Sequence, residues 1–513
     1  MRINYFTTIF FLFFSFQAYS QLPEVALRLS WNTSTGTARN QAIGGAMGSL
    51  GGDATALLVN PAGLAFFKTS DFILTPGFGF EKGKSNFRGS VSKNNATNKN
   101  LIGISGFISG GKKYSRNNTN TSSGIIVSKI ADFNQQIFYK GQNNYSSFGE
   151  PLADEFAASN LTIAQALNSN AISLQTKMAL YTYLVDTATI VGVKKVIARS
   201  ELVANREQEN RIETNGGITE ITYGQSGEIN DKLMVGYSFG IPIVNFNQTI
   251  FYREVDATGN TNNNFNFLSY SENVRISGFG INIKGGIIYR PTEYIRLGLA
   301  FHTPNFISLT EKINSGFAAD VEKLFSPASG YDSVSSTIFS NNNKSKYQLA
   351  TPSKILVSGA FVFREVEDVA KQKGFITADI EYVNYRWMDF SPSEENIAKD
   401  IFNPQNEAIK AIYKGTFNLK VGGELKFKTL MARAGFAYFG NPYKDKELNA
   451  RKINLCAGAG YRNKGFFLDI TYLHHFNKDV NFPYRVNPPR ANTFAELKES
   501  SGNILLTFGF KIS

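Results

Sequence analysis

The residues able to do chemistry are few, and their settings speak against catalysis. The pattern Gly-x-Ser-x-Gly occurs at Gly236-Tyr237-Ser238-Phe239-Gly240. A nucleophile elbow needs a sharp strand-to-helix turn that lifts the serine out. Ser238 instead sits inside an alternating strand pattern, and Ile241-Pro242-Ile243-Val244 cannot open a good helix. The histidines are His302, His474 and His475. Neighbours on a strand point to opposite faces, so His474 and His475 cannot chelate one metal together. Asp379 and Glu381 share a strand face and could pose as paired carboxylates, but Lys420 and Lys426 are placed to neutralise them. Residues 106–113, GFISGGKK, imitate a phosphate-binding loop, with Lys where Ser or Thr must hold magnesium. The single Cys456 excludes an intramolecular disulfide framework and lies in a strand-like run. No catalytic residue, metal or cofactor is expected, and the chain is not expected to be an enzyme.

The elements that carry these residues are mostly strands. In 233–239, Leu233, Val235, Tyr237 and Phe239 share one face. The same period of two recurs in 281–289, 295–302, 375–383, 418–427, 466–473 and at the C-terminal end, with Ile504, Leu506, Phe508, Phe510 and Ile512. One face is apolar and the other carries isolated charges of both signs. Earlier strand runs are 71–80, 101–109 and 124–139, with 92–100, SKNNATNKN, as a polar loop between the first two. Asp132-Phe133-Asn134 interrupts the third run and predicts a kink or bulge. Short turns near 229–232, 290–293 and 462–465 alternate with long polar loops near 257–266, 313–350, 390–410 and 477–501.

Two stretches break the pattern. Residues 36–67, GTARNQAIGGAMGSLGGDATALLVNPAGLAFF, lack both the charges of a surface helix and the β-branched alternation of a strand. The double glycines Gly44-Gly45 and Gly51-Gly52 and the turn Asn60-Pro61-Ala62 mark compact backbone meant to be enclosed. Residues 151–184 change to near-helical spacing, through Leu152, Phe156, Ile163 and Leu167, then Ile172, Leu174, Met178 and Leu180. One or two short helices are expected there. Their apolar faces either pack on neighbouring strands or form a groove for an apolar ligand.

Composition gives the setting. Residues 1–20 read as a secretory signal peptide: Arg2, an apolar core over 5–16, and Ala18-Tyr19-Ser20 before the cut. Beyond it no run of apolar residues is long enough for a membrane helix. Yet the chain holds 44 Phe and 23 Tyr with only 18% charged residues. An exported chain with these traits suggests an all-β, transmembrane antiparallel β-barrel, of about 14 strands. Net charge is +12, or 12 − 1 = +11 once Arg2 is removed. The basic residues are scattered along the sequence, so anionic lipid head groups are a plausible counterpart and nucleic acid is not.

Taken together, 36–66, 206–242, 281–306 and 457–476 resemble the FadL/TodX family of outer-membrane transporters for hydrophobic compounds, in the form widespread in Bacteroidetes. Asn60-Pro61-Ala62 matches the family's NPA motif. The resemblance covers essentially the whole mature chain. It implies a 14-stranded barrel over 69–513 closed by an N-terminal hatch over 21–68, with Gly44, Gly45, Gly51, Gly52, Asn60, Pro61 and Ala62 in the hatch. Ligands such as long-chain fatty acids would enter an extracellular groove, for which the insertion at 151–184 offers Phe156, Leu161, Ile163, Leu167, Ile172 and Leu174. They would pass to a low-charge pocket beside the hatch, lined by Phe, Leu and Ile. They would leave sideways at a kink placed at Asp132, Phe133 and Asn134. The implied partners are a hydrophobic small molecule and outer-membrane lipids, in a monomer of the Gram-negative outer membrane. A structural or secretion-associated barrel is the alternative, and an outer-membrane lipase a weaker third.

Overall fold

The structure, a computed structural model, describes residues 22–512 apart from 32–34, 95–96, 114–119, 191, 325–331, 340–342, 364–372, 396, 399 and 449. The expected signal peptide, residues 1–20, lies outside the described residues.

The alternating segments form one antiparallel sheet that closes on itself as a 14-stranded barrel. β1 comprises Ser70–Leu74 and Pro76–Phe87, β2 Thr97–Ile102 and Ser105–Lys113, and β3 Asn120–Asp132 and Gln135–Gln142. Three long strands follow: β4 (Arg206–Asn230), β5 (Leu233–Asp256) and β6 (Phe267–Tyr289). β7 joins Ile295–His302 to Phe306–Asp320, β8 joins Lys344–Ala350 to Lys354–Phe363, and β9 joins Gly374–Asn384 to Asp389–Pro392. β10 (Gly415–Phe427), β11 (Leu430–Phe439), β12 (Arg451–Asn463), β13 (Phe466–Asn481) and β14 (Ala495–Ile512) complete the wall. β14 closes on β1, with Ser70 opposite Ile512 and Phe87 opposite Ala495.

The two faces of this wall differ as the period of two requires. Outward on β5 lie Val235, Tyr237, Phe239, Ile241 and Ile243, all exposed; on β6 Phe279, Ile281, Ile283, Ile287 and Tyr289 continue the belt. Beyond it the outward residues turn polar, Asn245, Asn247 and Thr249 on β5 and Asn273 and Arg275 on β6. The apolar belt is thus about 11 residues of strand deep, which at the usual tilt covers about 25 Å, the height of a lipid-facing band. Among the described residues no helix is long and apolar enough to cross a membrane.

Several stretches expected as loops are wall. β7 runs to Asp320 and β8 begins at Lys344; β13 runs to Asn481 and β14 begins at Ala495. The Asn-rich 92–100 is strand at its two ends, through Ser90–Lys93 and Thr97–Ile102. Outside the belt both faces of a strand meet water or polar lumen, so the ladder persists while the hydropathy alternation vanishes.

Inside the barrel lies the N-terminal segment. It holds α1 (Leu22–Ser30), α2 (Ala38–Ala42), α3 (Ala56–Val59) and a 3-10 turn at Pro61–Phe66 that leads into β1. The insertion between β3 and β4 holds three helices, α4 (Gly149–Ser159), α5 (Ile163–Asn168) and α6 (Leu174–Tyr181). A further helix, α7 (Asn403–Ile412), occupies the stretch after β9 and packs on α1.

Candidate functional site

The segment from α2 to Phe66 shows almost no surface to solvent, so its backbone polar groups need partners. Inward side chains of the wall supply many of them. Asp379 of β9 accepts from the amides of Met47 and Gly48, each at 3.0 Å. Ser238 Oγ of β5 donates to Leu57 O at 2.8 Å, and Ser226 Oγ of β4 to Ala62 O at 3.0 Å. Arg296 Nη1 donates to Leu50 O at 2.5 Å, and His302 Nε2 stands 2.8 Å from Val59 O. Asn60 works from within the segment: its Nδ2 donates to Gly48 O at 2.6 Å and to Ile287 O of β6 at 3.2 Å. Its Oδ1 accepts from Ala62 N, so it caps the turn that Pro61 opens.

Backbone meets backbone on the β10–β11 side. Gly44 has φ of +69°, and a Cβ there would stand 2.6 Å from Phe436 O. A Cβ on the facing Gly435 would stand 2.2 Å from Gly44 N. Only glycine fits on either side of that contact. Gly45, Gly51 and Gly52 also take positive φ.

Several charges in the lumen are paired. Glu424 Oε2 lies 2.6 Å from Arg433 Nε and 3.3 Å from Arg39 Nε of α2, and Arg433 also holds Asp469 at 2.6 Å. Lys284 meets Glu220 at 2.5 Å, and Lys420 meets Glu381 at 3.5 Å. The candidate carboxylate pair is therefore divided: Asp379 binds the N-terminal segment and Glu381 faces Lys420. Lys426 stands beside Glu424 and not beside either of them. His475 points inward to Asn454, 2.7 Å away, while His474 lies on the outer face, 3.0 Å from Ser500 Oγ.

One part of the wall is interrupted. β3 breaks after Asp132 and resumes at Gln135. Opposite the break, Gly216 of β4 takes φ of +114°, and its amide donates to Asn134 Oδ1 at 3.1 Å. Phe133 N donates to Gly216 O, and Phe133 turns inward with its ring 5.5 Å from Phe246. The ladder between β2 and β3 runs only from Ser105 opposite Val127 to Lys113 opposite Asn120. The first half of β2 pairs with β1 alone, and residues 128–132 of β3 pair with β4 alone. Two strand edges thus face each other without a ladder.

Behind that opening is a cavity of about 180 Å³, bounded by Thr35 and Gln41 of the N-terminal segment and by β1, β2, β3, β12, β13 and β14. Lys99, Glu81, Lys129, Asp132, Lys452 and His475 line it, with Leu101, Leu473 and Leu505 between them. Lys99 binds Glu81, Lys129 binds Asp132, and Lys99 reaches across to Asp132 at 3.9 Å. This cavity is charged, unlike the low-charge pocket lined by Phe, Leu and Ile that was expected. The apolar side chains do gather in the lumen, but α1 fills their midst. Ala26, Leu27 and Leu29, with Trp31 just after the helix, pack among Phe133, Phe246, Tyr347, Phe390 and Tyr413. Tyr413 Oη donates to Pro23 O at 3.0 Å, Arg485 pairs with Glu24 at 2.5 Å, and Lys452 Nζ donates to Trp31 O at 2.7 Å. Lys99 and Glu81 carry no motif, Lys99 falling in the stretch read as loop and Glu81 just past the expected strand 71–80; only strand register brings them to the cavity.

The insertion closes over the long-strand side. Phe156 and Ile172 are buried with Leu152, Met178, Phe265 and Phe317. Leu161, Ile163 and Leu167 are half-buried against that cluster, and Leu174 is half-buried. Glu155 ties α4 to α6 by accepting from Ser173 N at 2.7 Å and Thr176 Oγ1 at 2.5 Å. Burial lifts the Glu150 carboxyl above the usual range although Arg490 lies 2.7 Å away. The apolar faces of these helices are used mainly in packing on the wall.

No family model matches the chain, and no curated protein matches it. Solved structures do. A Pseudomonas aeruginosa FadL homologue is 14% identical with a TM-score of 0.55, over 94% of this chain and 100% of that one. The Pseudomonas putida toluene transporter TodX is 12% identical with a TM-score of 0.50, over 94% of this chain and 99% of that one. At such identities the likeness is one of fold, and the chain has the 14-stranded barrel fold of the FadL homologue and TodX.

Proposed function

We propose that this chain is a FadL/TodX-type transporter of hydrophobic small molecules in a Gram-negative outer membrane, sent there by a signal peptide at residues 1–20. Residues 21–68 act as the hatch, with Gly44, Gly45, Gly51, Gly52 and the turn Asn60-Pro61-Ala62 fixing its path. Entry lies under the insertion at 151–184, where Phe156, Leu161, Ile163, Leu167, Ile172 and Leu174 are gathered. Exit is lateral, at the break of Asp132, Phe133 and Asn134. The observation that carries this reading is the unpaired edge between β2 and β3 with a cavity behind it. At membrane depth, backbone outside a ladder is tolerated only where it lines a water-filled space or is covered by protein. An opening in an otherwise closed wall is a place through which a ligand can move into the bilayer. Toluene and long-chain fatty acids are the two substrates to try first. The fold resemblance to TodX and the FadL homologue suggests them; the polar cavity shows preference for neither.

The test is uptake of labelled toluene and of a labelled long-chain fatty acid by cells with and without the gene. Uptake that depends on the gene supports transport, and equal uptake of both compounds in its absence sinks it. β3 keeps one register with β4 across the break, Asp132 opposite Gly217 and Gln135 opposite Thr214, so Phe133→Val/Asn134→Val favours a ladder that runs on without a gap. That variant should insert as a folded barrel and lose about tenfold or more in uptake, as a lost path rather than a lost contact. Unchanged uptake by a folded Phe133→Val/Asn134→Val variant rules out lateral exit.

A further inference from the structure

The basic residues are scattered in sequence, but register collects some of them. On β12 to β14 and β1, Arg451 lies opposite Lys478, Lys478 opposite Lys498, and Lys498 opposite Lys84. Lys84 lies opposite Lys93 of the hairpin strand Ser90–Lys93. Five cations on five neighbouring strands therefore stand side by side. They share the outer face: Leu455, Phe476 and Phe80 on the same sides of their strands are exposed, whereas the alternate residues Lys452 and Asn477 line the internal cavity. Like charges directly opposite one another destabilise a sheet, and an anion resting on the row would relieve that cost. Among the described residues, none of the five makes an ion pair. An outward acid, Glu496, stands one step beyond the row, opposite Asn86 and Val480.

The level of the row is informative. One step nearer the belt lie Phe476, Ser500 and Lys82 side by side; the next step holds His474, Gly502 and Phe80, and the next Tyr472, Ile504 and Phe78. The cations thus sit where an aromatic girdle gives way to water. Adjacent strands are about 4.8 Å apart, so the row is about 19 Å wide, room for more than one phosphate. The wall of β3 to β5 differs beyond its belt. There Arg211 pairs with Glu209 at 3.3 Å and Lys140 with Glu207 at 2.6 Å, so the charges cancel.

We infer that the β12–β1 wall holds a lipid-binding site. The row lies at the end of the barrel away from the short turns that join β4 to β5, β10 to β11 and β12 to β13, which is the outer end of such barrels; it takes the phosphates of a multiply phosphorylated headgroup of an outer-leaflet lipid, and the acyl chains lie on Phe78, Phe80, Tyr472 and Ile504 below it. This rests on the membrane-spanning reading of the barrel but not on any substrate passing through it.

The test places the full chain in nanodiscs of phosphatidylethanolamine doped with diphosphoryl lipid A, and reads bound lipid by native mass spectrometry. The variant Lys84→Gln/Lys478→Gln/Lys498→Gln should retain at least about tenfold less lipid A, since each cation near an anionic surface contributes a several-fold factor. A control variant, Lys232→Gln/Lys428→Gln/Lys464→Gln, alters exposed lysines at the opposite end and should bind as the parent does. Equal retention by the two variants overturns the site. So does a parent that holds phosphatidylethanolamine as firmly as lipid A. Inorganic phosphate at millimolar concentration should not release the lipid; full release would assign the row to free phosphate and overturn the lipid. Uptake measured in parallel separates the two readings: the triple variant keeps gene-dependent uptake if transport is real, whatever becomes of lipid A.

Discussion

From β4 to β6 the wall is a nearly unbroken ladder, whereas between β2 and β3 it is paired for only part of its height. β4 and β5 are matched from Arg206 opposite Asp256 to Asn230 opposite Leu233, and β5 and β6 from Leu233 opposite Tyr289 to Val255 opposite Phe267. On the other side, Thr97–Ile102 and residues 128–132 leave their facing edges unpaired. The side chains behind the two regions differ in kind. Behind the ladder, Glu220, Lys284 and Asn282 form a buried, mutually bonded cluster, with Asn282 Nδ2 donating to Glu220 Oε2 at 3.0 Å. Behind the break, Lys99, Glu81, Lys129 and Asp132 line open space. Water in that space can serve the orphaned strand edges, which lipid cannot. Polar lining at the opening is thus a condition for having an opening at all.

The largest effect should come from breaking the sealed side. Lys284→Met leaves Glu220 buried without its cation, although Thr222 and Asn282 still donate to it. Loss of one partner of a buried pair costs about 3–5 kcal/mol. The urea midpoint of the barrel should fall accordingly, with little change in initial uptake rate of the folded fraction. A midpoint equal to the parent's would mean that the cluster is hydrated and that the two walls do not differ in this respect.

Next in size is Gly435→Leu. The wall at β11 approaches Gly44 so closely that a side chain must displace the N-terminal segment or strain the strand, at about 1–3 kcal/mol. The parent should be closed in planar bilayers, and the variant should conduct ions. A folded, non-conducting variant would mean that the segment does not seal the lumen.

These sites were legible to different degrees. The outward belt on β5, β6 and β14 could be read directly, because lipid on one face and lumen on the other impose strict alternation. The stretches 313–350 and 477–501 could not, since outside the belt polar residues occupy both faces and only the ladder remains. The Gly/Ala composition of 36–67 announced a confined backbone, but not that Gly435 and Asp379 would meet it, because lateral register is absent from a linear string. The same blindness hid the five-cation row and the cavity. Lys84 and Lys93 share a hairpin, but Arg451, Lys478 and Lys498 are distant from them in sequence, and the five become neighbours only through pairing across four ladders. Asp132-Phe133-Asn134 was visible as an interruption because two small polar residues flank an aromatic in a run that opens with the apolar Ile125, Ile126 and Val127. α1 escaped notice inside the stretch assigned as a whole to the hatch, although Ala26, Leu27 and Leu29 mark its buried side.

The break itself should respond by rate more than by stability. Asp132→Asn removes the carboxylate that Lys129 binds and that Lys99 reaches from the facing strand. Both side chains at the close contact keep some exposure, 20% for Lys129 and 15% for Asp132, so the loss in stability is about 1 kcal/mol or less. With the bridge between β2 and β3 gone, uptake should rise by a few-fold at an almost unchanged urea midpoint. A slower rate would show that Asp132 lines the path as a contact instead of holding it shut.

The smallest effect belongs to the polar extension of the sealed wall. Arg211 pairs with Glu209 on the outer face of β4, with the arginine side chain 57% exposed. Surface pairs contribute about 0–1 kcal/mol, and the ladder beneath does not depend on this one. Arg211→Ala should therefore leave the urea midpoint and uptake within error of the parent, and lipid A retention unaltered. A clear loss of lipid in Arg211→Ala would place anionic headgroups on both walls. The contrast between a neutral β3–β5 rim and a cationic β12–β1 rim would then fail, because the geometry that pairs Arg211 with Glu209 would no longer be what keeps phosphate away.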